Sequence, residues 1–111
     1  MQHNDVFAEK VFNDKDVNVV TNIKTERLTQ VTYYMRAGQM LDYHRHPEGD
    51  QVFFTHEGTG VCYAEEGREE AVRLRPGVIV LAPKGVWHKL IATTDLIVSA
   101  ATTQPAGFEK R

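Results

Sequence analysis

Two histidines separated by a single residue, His44 and His46, constrain this chain more than any other feature. In an extended strand successive side chains alternate between faces, so both imidazoles project the same way from Cα atoms roughly 6.5–7 Å apart, and Arg45 faces away. Side chains so placed can converge on one ion. Histidine is the commonest metal ligand, and its borderline softness suits zinc, iron, nickel or copper better than calcium or magnesium. Around the pair stand Gly38, Gln51 and Gly58, and a second block holds Gly77, Pro83, Gly85 and His88. Together the two blocks predict a metal site inside a small β-barrel.

The segment Pro47-Glu48-Gly49-Asp50 has the composition of a turn, proline presetting φ and glycine permitting a positive value. A strand over residues 51–56 should follow, with Gln51, Phe53 and Thr55 on one face and Val52, Phe54 and His56 on the other. The turn resets the parity, so Gln51 can rejoin the face of His44 and His46, leaving His56 on the opposite one. In the second block a strand over 78–82 meets a Pro-x-Gly turn and then a strand over 86–92. His88 would share a face with Val86, Leu90 and Ala92, where an imidazole is costly unless hydrogen-bonded or metal-bound.

The two blocks resemble the paired motifs of the cupin family. Gly38, His44, His46, position 51 and Gly58 fall at the spacing of the first motif, and Gly77, Pro83, Gly85, His88 and position 92 at that of the second. Gln51 stands where the family has glutamate, and Ala92 where it has asparagine. The resemblance runs from about residue 31 to residue 99. It implies an all-β fold, a single-domain cupin double-stranded β-helix (jelly-roll barrel) of the RmlC-like type over residues 1–111. It also implies that His44, His46, Gln51 and His88 hold one divalent transition-metal ion, Zn, Ni, Mn or Fe, and that the chain is a homodimer. Outward-facing Val52 and Phe54, which a small monomer would expose, point to the homodimer as well.

Gln51 bears on the chemistry. Three histidines and a glutamate would lower the charge of a bound M²⁺ to +1, whereas with glutamine every donor is neutral and the centre keeps +2. A less compensated ion is a stronger Lewis acid and stabilises a trivalent state less well. This favours isomerase, lyase or cyclase chemistry on a small polar metabolite such as a sugar acid or keto acid. A metal-dependent dioxygenase and a non-catalytic metal or metabolite binding module are the alternatives, since fold does not fix function. One cupin group similar to this chain in size and in its His, His, Gln, His pattern acts in uronate breakdown, where the tail supplies an aspartate, a phenylalanine and an arginine. Ser99, Ala101 and Pro105 align at those positions, which argues against that reaction.

Thirteen basic against fifteen acidic side chains give a net charge of −2. No basic stripe suggests nucleic acid, and no apolar run approaches the roughly 20 residues of a membrane helix. The opening MQHNDVFAEK lacks the cationic and apolar regions of a signal peptide, so the cytoplasm is the expected location. Cys62, the only cysteine, excludes an intrachain disulfide and reads as a small buried hydrophobe. Segments rich in β-branched and aromatic residues at 17–20, 28–37, 61–64, 71–74 and 96–101 are expected strands, with a hairpin at 65–68. The first sixteen residues read as an arm or an early strand. For a small-molecule pocket, Tyr33, Met35 and Phe53 are the expected walls.

Overall fold

β-Branched and aromatic side chains pack well on a pleated surface, and the segments richest in them are the strands of the fold. A computed structural model describes residues 1–111 and contains ten strands: β1 (Asn18–Lys24), β2 (Leu28–Met35), β3 (Met40–Arg45), β4 (Gln51–Glu57), β5 (Gly60–Glu66), β6 (Arg68–Leu74), β7 (Ile79–Ala82), β8 (Trp87–Ala92), β9 (Leu96–Thr103) and β10 (Glu109–Lys110). Every pairing is antiparallel. The strands form two five-stranded sheets, ordered β1-β2-β9-β4-β7 and β10-β3-β8-β5-β6. This is the all-β, double-stranded β-helix architecture that the motif spacing implied. No helix is long and apolar enough to cross a membrane.

The inward faces of the two sheets meet in a core that includes Met35, Phe53, Leu74, Leu90, Leu96 and Val98, all 1 % exposed or less. Cys62 belongs to the same cluster. Burial of each large side chain is worth about 1.5–3 kcal/mol, so this layer dominates the stability of the sandwich. The core occupies one part of the interior. The histidines lie in another, beside β10.

Residues ahead of β1 form an arm with turns and no strand, laid over the outer face of the first sheet. The Tyr34 hydroxyl donates to the Val6 carbonyl at 2.6 Å, Phe12 meets the Tyr34 ring edge-on, and Phe7 does the same to His56. Beneath the arm runs a polar row. Thr32 Oγ1 donates to Asn22 Oδ1 at 2.6 Å, Ser99 Oγ lies 2.8 Å from Thr32 Oγ1, and His56 Nε2 lies 2.8 Å from Ser99 Oγ. Since Thr32 spends its proton on Asn22, Ser99 must donate to Thr32 and accept from His56 Nε2–H. The arm thereby buries outward residues that an uncovered sheet would expose, with Thr32, Tyr34, Ile97 and Ser99 all at 0 % exposure.

Two elements depart from the sequence expectation. β1 continues to Lys24 through a bulge between Thr21 and Ile23, which turns Asn22 under the arm. β10 is the second, a strand with no counterpart in the expected set. After a cis Gln104–Pro105 peptide and Gly107 at φ +71°, the tail returns to pair Glu109 with Arg45 and Lys110 with His44.

Candidate metal centre

Adjacent strands of the second sheet bring the histidines together. β3 and β8 pair His44 directly with His88, and the chain leaving β3 adds His46. One ring nitrogen from each of the three lies within 4.8 Å of the others. Ring centroids are 4.3 Å apart for His44 and His88, 5.5 Å for His44 and His46, and 5.7 Å for His46 and His88. Gln51, at the start of β4, enters from the opposite sheet and is 2 % exposed.

Hydrogen bonding fixes what each group presents. Nδ1 of His44 lies 2.8 Å from the Asp42 carbonyl, Nδ1 of His46 2.9 Å from the Gly107 carbonyl, and Nδ1 of His88 3.0 Å from the Val86 carbonyl. A carbonyl only accepts, so in a neutral imidazole each Nδ1 carries the proton and each Nε2 keeps a bare lone pair. Such carbonyl partners are what orient metal-ligating histidines. Nε2 of His46 is buried with no hydrogen-bond partner at all.

His88 is more telling still. Its Nε2 lies 2.9 Å from Gln51 Oε1 while its Nδ1 faces the Val86 carbonyl. The Gln51 amide is held in that orientation because its Nε2 donates to Thr102 Oγ1 at 2.9 Å. A neutral imidazole has one N–H for two acceptors, and burial opposes the doubly protonated cation. Three lone pairs and an amide oxygen thus converge with too few protons between them. A divalent ion satisfies all four, so the residues present fit the metal that the motif spacing implies.

A cavity of about 500 Å³ opens beside the cluster, lined by Tyr33, Leu41, Tyr43, His44, Phe108 and Lys110 among others. Phe108 sits over the histidines, its ring 5.4 Å from His44 and 6.0 Å from His46. Of the three residues expected as walls, Tyr33 lines the cavity. Met35 and Phe53 point inward as their parity required but lie deeper in the core, Phe53 with its ring 5.7 Å from His88. Burial raises the Tyr33 phenol above its ordinary value, partly offset by its contact with Gln51, so it is a hydrogen-bond donor at neutral pH.

His56 is on the outer face, bonded to Ser99, as its parity required. Trp87 also faces outward, with the Arg45 guanidinium 4.6 Å from its ring centre. Ser99 and Ala101 are on the outer face of β9, Ser99 bonded to His56 and Ala101 opposite Val52. The inward residues of β9 are Val98, Ala100 and Thr102, the last bonded to Gln51. Sequence reasoning missed Thr102 and the three carbonyls. Only the even spacing of Phe108 and Lys110 carried any signal for the tail.

Burial pulls the His88 pKa down from 6.5 to about 4, aided by the charges His44 and His46 would carry, and burial lowers His44 as well. In the folded, metal-free protein these rings stay neutral where the unfolded chain already takes up protons. Stability is therefore fully present above about pH 6.5 and falls as the pH drops toward 4, by on the order of 3 kcal/mol for His88 alone. Urea titrations of metal-free protein at pH 7.5 and 4.5 should show this loss; equal midpoints would contradict it.

A family profile described as the cupin domain matches residues 31–102. Solved structures are similar in fold. An uncharacterized conserved protein with a double-stranded beta-helix domain from Klebsiella pneumoniae superposes with a TM-score of 0.85 at 19 % identity, covering 96 % of this chain and 93 % of that one. An RmlC-like cupin protein from Desulfovibrio desulfuricans gives 0.83 at 24 % identity, covering 93 % and 96 %. KdgF from a Halomonas species gives 0.75 at 23 % identity, covering 86 % and 87 %. No curated protein matches the chain in sequence at a significant level. The family profile spans well over half of the residues and includes all three clustered histidines, and the chain belongs to the cupin family.

Proposed function

We propose that His44, His46, Gln51 and His88 hold one divalent transition-metal ion, Zn, Ni, Mn or Fe. On this reading the chain is a Lewis-acid enzyme of isomerase, lyase or cyclase type acting on a small polar metabolite in the adjoining cavity. The observation that carries the reading is the donor set, three imidazole lone pairs and one amide oxygen with no carboxylate among them. When bound, the ion supplies polarisation of a carbonyl or hydroxyl oxygen with its +2 charge undiminished by the protein. Thr102 holds the Gln51 amide so that its oxygen faces inward. Tyr33 donates a hydrogen bond to a ligand oxygen, and Phe108 shields the histidines from water. Residues 1–111 act as one domain.

Metal-reloaded protein incubated without oxygen with hydroxy acids, keto acids and sugar acids, followed by NMR, should convert at least one of them. Conversion that requires oxygen would assign a dioxygenase instead, and ligand binding without conversion a binding module. Gln51→Glu should tighten metal binding by about tenfold or more while lowering anaerobic turnover, because the added carboxylate halves the net charge of the centre. Competition with a chelator measures the first effect. Weaker binding, or oxygen-dependent activity gained with iron, would sink the Lewis-acid reading.

We also propose that the chain is a homodimer. Val52 and Phe54 on β4 pair with Leu81 and Ile79 on β7, and the outer residues Ile79 and Leu81 are 63 % and 56 % exposed. An apolar patch of this kind on a sheet edge is covered in most soluble proteins. Sedimentation at micromolar concentration should give twice the 12.6 kDa chain mass, and a single 12.6 kDa species would reject the dimer.

A further inference from the structure

We infer that Lys110 is the specificity-determining residue of the cavity and that the ligand is a carboxylate, a short hydroxy or oxo acid held by its acid end. This rests on the reading of the histidine cavity as the ligand site and adds the class of molecule it takes. β10 places Lys110 directly opposite His44, and residues opposite one another in an antiparallel pair share a face. Lys110 thus lies on the face of His44 at the exposed rim of the cavity, which Phe108, two residues earlier, also lines. Glu109 between them faces out, where it meets Arg45 at 2.7 Å.

The charges around the cavity show why this lysine is distinct. Arg111 is held by Glu65 at 2.7 Å and lies over the Tyr43 ring. Lys89 lies over the rings of Tyr43 and Tyr63. Lys110 has neither an ion-pair nor a hydrogen-bond partner, and Asp42 is the one acidic residue of the lining. Asp42 and Lys110 cancel in net charge, and an ion held by four neutral donors then leaves the cavity positive. A lysine at the rim of such a cavity adds to that positive potential, which an anion lying between it and the ion would offset. The apolar surfaces of Leu41 and Phe108 suit a short carbon chain, with its oxo or hydroxyl oxygen toward the histidines and its carboxylate toward Lys110.

The test uses pyruvate and levulinate with their matching amides, pyruvamide and levulinamide, titrated calorimetrically into zinc-loaded protein. At least one acid should bind about tenfold or more tightly than its amide. Lys110→Gln should remove that preference by weakening the acid and leaving the amide unchanged, and Lys110→Arg should restore it. Zinc affinity should be the same in all three proteins. An acid preference that survives Lys110→Gln, equal losses for acid and amide, or no acid preference in the unmodified protein would each overturn the inference. If the protein took up no zinc yet preferred the acid in a Lys110-dependent way, the metal reading would fail and the carboxylate site would stand. Zinc uptake without acid preference would leave the metal centre standing and remove the carboxylate site.

Discussion

His88→Ala should lower divalent-metal affinity by about two to three orders of magnitude. Structural zinc sites bind with roughly 10–16 kcal/mol, and losing one of four donors forfeits about a quarter of that. The ring removed also supplies the nitrogen facing Gln51 Oε1, so the amide loses its partner at the site as well. His56→Ala is the control, because His56 lies on the outer face under the arm and its loss should leave metal affinity unchanged. Chelator competition on both variants, with circular dichroism to verify folding, decides the matter. Equal metal affinity in the His88 variant and the unmodified protein would remove His88 from the site.

Gly58→Ala should cost the fold more than any other motif substitution. Gly58 has φ +81°, and a Cβ built there would lie 1.8 Å from the Asp95 carbonyl oxygen, a backbone atom that cannot swing aside. Strain of this kind should exceed about 4 kcal/mol, a large share of the roughly 5–15 kcal/mol that holds a domain together. The melting temperature should fall by at least about 15 °C. Gly77→Ala gives the contrast. Its φ is +93° but open space surrounds it, so only the left-handed backbone penalty of about 1–2 kcal/mol applies. Equal melting losses in the two variants would show that contact with Asp95 does not matter.

These residues show which parts of the site could be read from the sequence. The spacing of His44, His46 and His88 carried the cluster because strand parity is local, and the cross-strand pairing of His44 with His88 completes it. The position of Gly58 was legible as pattern. Its reason was not, because the carbonyl it must avoid belongs to Asp95, far along the chain. The inward face of β9 was not legible, for a physical cause. The arm covers its outer face, so residues 96–100 are buried on both sides and the sequence offers no polar alternation to tell Ser99 from Ala100. Met35 and Phe53 were assigned the right face, but parity says nothing of depth. Lys110 and Phe108 read as tail because β10 is two residues long, and its pairing with β3 spans more than half of the chain.

A crystal structure of zinc-loaded protein, with anomalous scattering measured at the zinc edge, would locate the ion among its ligands. One ion per chain is expected, about 2.0–2.1 Å from Nε2 of His44, His46 and His88, with Gln51 Oε1 as the fourth protein donor at about 2.0–2.2 Å. The three Nδ1 atoms should still face the carbonyls of Asp42, Gly107 and Val86. No anomalous peak among these histidines after loading, or an ion bound through His56, would contradict this ligand set.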